Sequence, residues 1–409
     1  MLHRNLESPL RDALSDRPVV LLHGARQTGK STLARAAAPN AKYLTLDDTT
    51  VLEAAQKDPA GLLLQLGQGP VILDEVQRAP DLFRAIKANV DRDRRAGRYL
   101  LTGSANIMLV PRVSDSLAGR MEILTLRPLS QGEIEGCVEG FIDAVFARKP
   151  SFPEAPAKAV RTLPQRVIMG GFPEVVTSIA AARRPAWFSS YLNAIVQRDV
   201  RDIMMIEDVT ALPRMLALLA GRASGLLNFA DISRSTGISQ TTVKRYFALL
   251  EATFLIRLVR PWHANSGLRL VKSPKVLFED TGLAASLLEI DESQLARPNS
   301  PLGSLLENFV GAELLKQASW SKTPVSVYHF RTQTGREVDF VLESRGGAVV
   351  GIEVKAGATV TSSDFRGIES LREAAGGRFH AGVILYGGRD VVPFGRDLFC
   401  IPLECLWTT

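Results

Sequence analysis

The chain has 409 residues, 46% of them hydrophobic and 22% charged, and a formal net charge of +6. That length and balance predict two or three ordinary globular domains, and the mild positive charge permits nucleic acid without arguing for it. Cys137, Cys400 and Cys405 have neither metal-ligand spacing nor even pairing, and there is no long apolar run or leader-like start at Met1-Leu2-His3-Arg4, so the expectation is a cytoplasmic protein with no membrane partner.

The first informative element is an apolar stretch, Pro18-Val19-Val20-Leu21-Leu22, that reads as a buried strand. It runs into Gly24-Ala25-Arg26-Gln27-Thr28-Gly29-Lys30-Ser31, which fits G-x-x-x-x-G-K-[ST] at every fixed position, and then into a helical run from Thr32. Strand, glycine turn and helix form a cradle for the phosphates of ATP, with inward backbone N–H groups and a helix N-terminus. In this reading Gly24 to Thr32 hold the nucleotide, Lys30 reaches the β- and γ-phosphates, and the Ser31 hydroxyl ligates Mg²⁺.

A second strand pattern near 42–46 precedes a third, Val71-Ile72-Leu73-Asp74-Glu75, that ends in two acids. Ligands in open α/β sheets gather at the carboxyl ends of strands. Asp74 is therefore expected to hold Mg²⁺ and Glu75 to orient and deprotonate the attacking water. A fourth strand ends in Thr102-Gly103-Ser104-Ala105-Asn106, where Ser104 or Asn106 would sense the γ-phosphate. Arg120 precedes a fifth strand near 121–126 and is a candidate for reaching a phosphate on the same or a neighbouring subunit. A strand between the phosphate loop and the acidic strand resembles the additional-strand P-loop ATPases, including AAA+ proteins.

Lys149 to Pro156 is proline-rich and reads as a linker or exposed loop. An amphipathic helix from Trp187 to Val196 leads into alternating charges, where Arg198 or Arg201 is either part of a solvated helix end or a subunit contact. An arginine finger in trans would make the chain a homo-oligomer. Residues 226–262 show a helix-turn-helix pattern with a following strand that reads as the start of a wing. Gln240, Thr241, Thr242, Lys244 and Arg245 lie on the exposed part of its second helix, where a DNA reader contacts the duplex. Such modules also serve as protein-contacting lids.

The last hundred residues read as α-β-β-β-α-β, opening with an amphipathic helix from Ser304 to Leu315. Asp339 sits inside an apolar alternation. Glu353 and Lys355 flank Val354 on one sheet face. Two acids meeting across strands suit Mg²⁺, with Glu307 completing the cluster and Lys355 positioning a hydroxide for attack on a phosphodiester. The pattern resembles the PD-(D/E)xK nuclease superfamily, with Val338 where the motif has proline. The same groups also suit a structural ion-pair network.

Taken with Leu73-Asp74-Glu75-Val76-Gln77, Leu129-Ser130 and Gly170-Gly171-Phe172-Pro173, these motifs resemble the prokaryotic AAA-type ATPases that carry a C-terminal nuclease-like domain. The resemblance implies an α/β protein. Residues 1–150 would form the ATPase domain on an additional-strand parallel sheet. Residues 151–298 would form a helical lid with a winged helix at about 210–262, and residues 299–409 a restriction-nuclease-like αβββαβ domain. It implies an ATP-hydrolysing enzyme coupled to a DNA-directed module, with a nucleotide-dependent switch that cuts nothing as the rival.

Overall fold

Residues Val19 to Leu22 are apolar without alternation because the strand they form is covered on both faces. In the computed structural model of the protein, which describes residues 2–105, 119–153, 160–199, 211–263, 272–297 and 299–409, that strand is β1 (Val19–His23). It joins β2 (Lys42–Thr45), β3 (Val71–Asp74), β4 (Tyr99–Gly103) and β5 (Met121–Thr125) in a parallel sheet ordered β2-β3-β4-β1-β5. Val20 and Leu22 enter the core under the helices Glu7–Asp16 and Lys30–Ala37. Val19 and Leu21 enter the opposite core, against Phe83, Ile86 and Val90 of the helix Leu82–Arg92. β4 lies between β1 and β3, the additional-strand arrangement that the resemblance implies, while β2 takes the sheet edge.

The middle of the chain is mainly helical. The helices Phe229–Thr236 and Gln240–Ala252 meet through Ile232, Val243 and Phe247, and an antiparallel pair, β6 (Ile256–Val259) and β7 (Lys275–Phe278), follows. Gln240, Thr241, Lys244 and Arg245 are exposed, while Thr242 is half-buried and its hydroxyl meets that of Ser239 at 2.9 Å.

The C-terminal region contains β8 (Val325–Arg331), β9 (Glu337–Ser344), β10 (Val349–Lys355), β11 (Phe379–Tyr386), β12 (Val392–Pro393) and β13 (Leu398–Pro402). They form one mixed sheet ordered β12-β13-β11-β10-β9-β8. The predicted element order stopped at β11; β12, β13 and a closing helix, Cys405–Thr408, extend it.

Two segments gain a tertiary context here. The amphipathic helix read over Ser304 to Leu315 runs from Leu302 to Gln317, and its Asn308, Glu313, Lys316 and Gln317 are all buried. Neighbours on several sides meet their polar groups, although Gln317 Oε1 has no hydrogen-bond partner among the described residues. Asn308 brackets the backbone of Phe278, Glu313 accepts from Gln131 N at 2.9 Å, and Lys316 donates to Leu129 O at 3.0 Å. The polar stripe is an inter-domain seam, which period alone does not distinguish from a solvated face. The proline-rich segment is likewise no free linker at its start. Phe152 packs against Phe141 and Phe399 at 6.0 and 6.2 Å, and the Cys405 thiol lies 3.2 Å from Pro153 O. Residues 154–159 lie outside the described residues. Among the described residues, no helix is long and apolar enough to cross a membrane.

Candidate functional site

The phosphate loop leaves β1 through Gly24, whose φ of +151° places its α-carbon so close to β5 that a Cβ would lie 2.1 Å from Leu126 O. Gly29, at φ +91°, caps the helix Lys30–Ala37 in a left-handed conformation. Between them the Thr28 hydroxyl and the Lys30 ammonium both donate to Ala25 O, at 2.9 and 2.8 Å. Arg4 braces the loop from outside. Its guanidinium donates to Thr28 O and Arg127 O, each at 2.7 Å, and pairs with Glu133 at 3.1 Å. A lone arginine near the N-terminus carries no motif, so sequence reading passes over it.

The predicted partners converge on this loop. The Ser31 hydroxyl lies 3.0 Å from both carboxylate oxygens of Asp74, which also accepts from the Thr102 and Tyr43 hydroxyls. A hydroxyl and a carboxylate side by side at the phosphate loop are hard oxygen donors of the kind Mg²⁺ takes beside substrate phosphates. Glu75 sits next along the chain at φ +58°, a left-handed conformation rare for glutamate. Its carboxylate accepts from Ser104 at 2.8 Å and from the Gln77 amide, and Gln77 also donates to Ser104 at 3.0 Å. Ser104 thus stands at the acidic strand end as expected. Gln77 is an addition the motif did not single out. Asn106 lies outside the described residues.

A cavity of about 390 Å³ opens above Arg26, Gln27, Gly29, Lys30, Ser31, Thr32 and Glu75. Its far wall comes from the helix Arg184–Ala194, through Trp187, Ser190, Tyr191 and Ala194. The rings of Trp187 and Tyr191 stack at 5.3 Å with planes 7° apart, and Phe172 packs against both.

Arg120 does not join this subunit's phosphate site. β5 runs parallel to β1 with Met121 opposite Val19, so Arg120 lies at the end of the sheet remote from Gly24, where it pairs with Asp91 at 2.5 Å. The Arg198 side chain and Arg201 lie outside the described residues.

His23, the last residue of β1, is buried beside the loop with Nε2 2.9 Å from the Thr125 hydroxyl and its ring edge-on to Phe254 at 5.0 Å. Burial, then the charges of Arg127, Arg257 and Lys30, push its pKa down to about 3. Above pH 6.5 the ring is neutral both folded and unfolded. As pH falls below that, the unfolded chain takes up a proton that the folded protein resists until about pH 3. The His23 contribution to stability is therefore expected to be lost between those limits. Denaturation of wild type and His23→Asn across that window checks it, with a shallower acid slope expected for the variant.

The C-terminal acids converge, but around a lysine. Lys275, at the start of β7, places its ammonium 2.7 Å from Glu307, 2.8 Å from Glu337 and 3.3 Å from Asp339, and its side chain is 1% exposed. Asp339 also accepts from Val354 N at 2.9 Å. Burial, then the Asp339 charge, raises the Glu307 carboxyl to about 8 and the Glu353 carboxyl to about 9. Lys355 stands apart from Asp339, 3.6 Å from both Glu353 and Asp364. The expected Mg²⁺ set of Glu307, Asp339 and Glu353 thus has an internal cation against two of its members. Among the described residues, no three His, Cys, Asp or Glu side chains are arranged to hold a metal ion. The sequence reading missed Lys275 and Glu337; the one available signal was a lone lysine heading the apolar run Val276-Leu277-Phe278.

Comparison with known proteins matches an AAA domain to residues 16–135, a domain of unknown function (DUF8612) to 160–294, and a second (DUF4143) to 302–406. Among solved structures, the Walker-type ATPase PABY2304 of Pyrococcus abyssi is similar at 16% identity and a TM-score of 0.40, over 70% of this chain and 96% of that one. The uncharacterized proteins Rv2008c of Mycobacterium tuberculosis and Mb2031c of Mycobacterium bovis are each 31% identical over 99% of this chain and 85% of their own length. The phosphate loop, its acidic strand and this end-to-end likeness together place the chain in the family of these two mycobacterial proteins, as a P-loop ATPase with an AAA domain.

Proposed function

We propose that the chain hydrolyses ATP with Mg²⁺ and works as a nucleotide-dependent switch. The observation that carries this is the meeting of Ser31, Asp74 and Glu75 above the phosphate loop, with a helix of the middle region as the opposite wall. In this reading Lys30 turns from Ala25 O to the β- and γ-phosphates. Ser31 and Asp74 hold Mg²⁺, which when bound neutralises phosphate charge. Glu75, held by Gln77 and Ser104, takes the proton of the attacking water. Trp187 and Tyr191 line the cavity opposite the phosphate loop, so the helix Arg184–Ala194 would report its occupancy to the rest of the middle region. Addition of a non-hydrolysable ATP analogue with Mg²⁺ is expected to change tryptophan emission, and Trp187→Phe to abolish the change. A wild-type spectrum indifferent to saturating nucleotide sinks the switch.

For the C-terminal domain we favour a role without cleavage. Lys275 already supplies the positive charge that Glu307, Glu337 and Asp339 need, and a buried ammonium at 2.7–3.3 Å excludes a divalent ion from the same point by repulsion. Supercoiled plasmid incubated with the protein and Mg²⁺ or Mn²⁺, with and without ATP, is expected to stay intact. Nicking that disappears with Asp339→Ala overturns this and restores the nuclease reading. The exposed Gln240, Thr241, Lys244 and Arg245 keep a DNA contact by the helix pair as a separate proposal, tested by the salt dependence of duplex binding.

A further inference from the structure

Three sheets end at one place. Among the described residues, β5 is the last strand of the ATPase sheet and pairs with β1 alone; β8 is the last strand of the C-terminal sheet and, one isolated bridge at His329 aside, pairs with β9 alone; β6 pairs with β7 alone. Their open edges border a single cavity of about 690 Å³. β6 and β8 touch at one bridge, where His329 N donates to Arg260 O at 3.0 Å and Trp262 N to His329 O at 2.7 Å. Beyond that bridge, Val325 to Tyr328 have no backbone partner on the cavity side among the described residues, and neither do Ile123 to Thr125. Exposed strand edges are templates for another strand, and proteins usually cover them or blunt them with charge.

Positive charge is in excess here, three arginines against Glu251 and Glu279. The Arg257 and Arg260 guanidiniums line the cavity without a direct side-chain hydrogen bond or ion pair among the described residues, although the charges of Glu251 and Glu279 act on Arg257 and that of Glu251 on Arg260. Arg127 adds a third guanidinium, although Glu279 pairs with it. Glu251 is the acid on the wall; its carboxylate accepts from Leu258 N at 3.3 Å, and burial raises it. Ile123, Leu258, Val259 and Val327 give the rest of the wall an aliphatic surface. Guanidinium groups match carboxylates in fork geometry, and aliphatic strand walls accept alternate side chains. A phosphodiester backbone has no use for the apolar walls or for the row of edge N–H and C=O groups.

We propose that this cavity is a docking site for an acidic, extended segment of a protein partner, which adds a strand between the open edges and places Asp or Glu side chains on Arg257 and Arg260. It gives the switch a partner, and it rests on the switch reading only for any nucleotide dependence. The β5 wall is tied to the phosphate loop: Thr125, on that wall, contacts His23, whose next residue is Gly24.

The test is a random-dodecapeptide display selection on the full-length protein without nucleotide. Enriched sequences should alternate Asp or Glu with Val, Ile or Leu. The best synthetic peptide, followed by fluorescence anisotropy, should bind roughly tenfold or more weakly to Arg257→Ala/Arg260→Ala. N-methylation of its alternate amides should remove binding to wild type, an arm that needs no variant to fold. Selection on Arg257→Glu/Arg260→Glu should turn to Lys-bearing peptides. The proposal is overturned by no enrichment, by affinity indifferent to N-methylation, by unchanged affinity in the alanine variant, or by a 12-nucleotide DNA strand that alone shows the arginine dependence. Repeating the titration with ATP analogue separates the two readings. Peptide binding indifferent to nucleotide leaves the docking site standing and counts against the switch. A nucleotide response at Trp187 without peptide binding does the reverse.

Discussion

Lys30→Ala is expected to cut ATP turnover by about a hundredfold or more and to weaken nucleotide binding, because it removes the charge that follows the phosphates through transfer. The ammonium is already delivered to the loop, 2.8 Å from Ala25 O, so little rearrangement separates its resting place from the phosphate. Glu75→Gln should behave differently. The amide keeps the hydrogen-bonding size of the side chain but cannot take a proton, so turnover should fall by about 10² to 10⁴ with binding preserved. Steady-state turnover beside equilibrium binding of a fluorescent ATP analogue distinguishes the two. Lys30→Ala turnover within tenfold of wild type, or tight binding lost in Glu75→Gln, contradicts the assigned roles.

Lys275→Ala is expected to destabilise the protein by about 3–5 kcal/mol, the usual scale for removing one partner of a buried ion cluster. The loss leaves Glu307 and Asp339 close together without a cation, while Arg331 still pairs with Glu337 at 2.9 Å. Chemical denaturation at neutral pH measures it. Asp339→Asn in the same chain should recover part of the loss, since one like charge is then gone, and the double-mutant cycle should show strong coupling. A Lys275→Ala protein as stable as wild type removes the argument that lysine holds this cluster. Millimolar Mg²⁺ that stabilises the variant but not the wild type would show that the ammonium stands where a divalent ion otherwise fits.

The nucleotide end of the molecule was legible because its chemistry is local. Gly24 to Ser31 is one contiguous turn, and β3 runs into Asp74 and Glu75 at its own end, so motif and spacing alone singled out Lys30, Ser31, Asp74 and Glu75. Ser104 followed from the same logic on β4. Gln77 was not singled out because its role depends on the left-handed bend at Glu75, which folds the amide back onto the carboxylate two residues earlier. Arg120 misled for a related reason. Its neighbourhood in sequence is suggestive, but the parallel register of β5 on β1 carries it to the wrong end of the sheet.

The C-terminal cluster shows where local reading ends. Glu307, Asp339, Glu353 and Lys355 were visible as a pattern within one domain, and Asp339 and Glu307 do meet. What they meet comes from β7, outside that domain. An ammonium and a divalent ion suit the same carboxylates, and nothing in the spacing of the acids distinguishes them. The seam along Leu302–Gln317 and the cavity between β5, β6 and β8 have the same origin, since each is built by elements far apart in the chain. By itself the sequence determined the α/β class, the succession of strands and helices along the ATPase domain and the residues around the phosphates, because these follow from short-range periodicity and backbone geometry. Only the tertiary structure decided which cation sits among the acids, which helix closes the phosphate cavity and which strand edges stay open, because those depend on packing free energies between domains that leave no periodic trace in the chain.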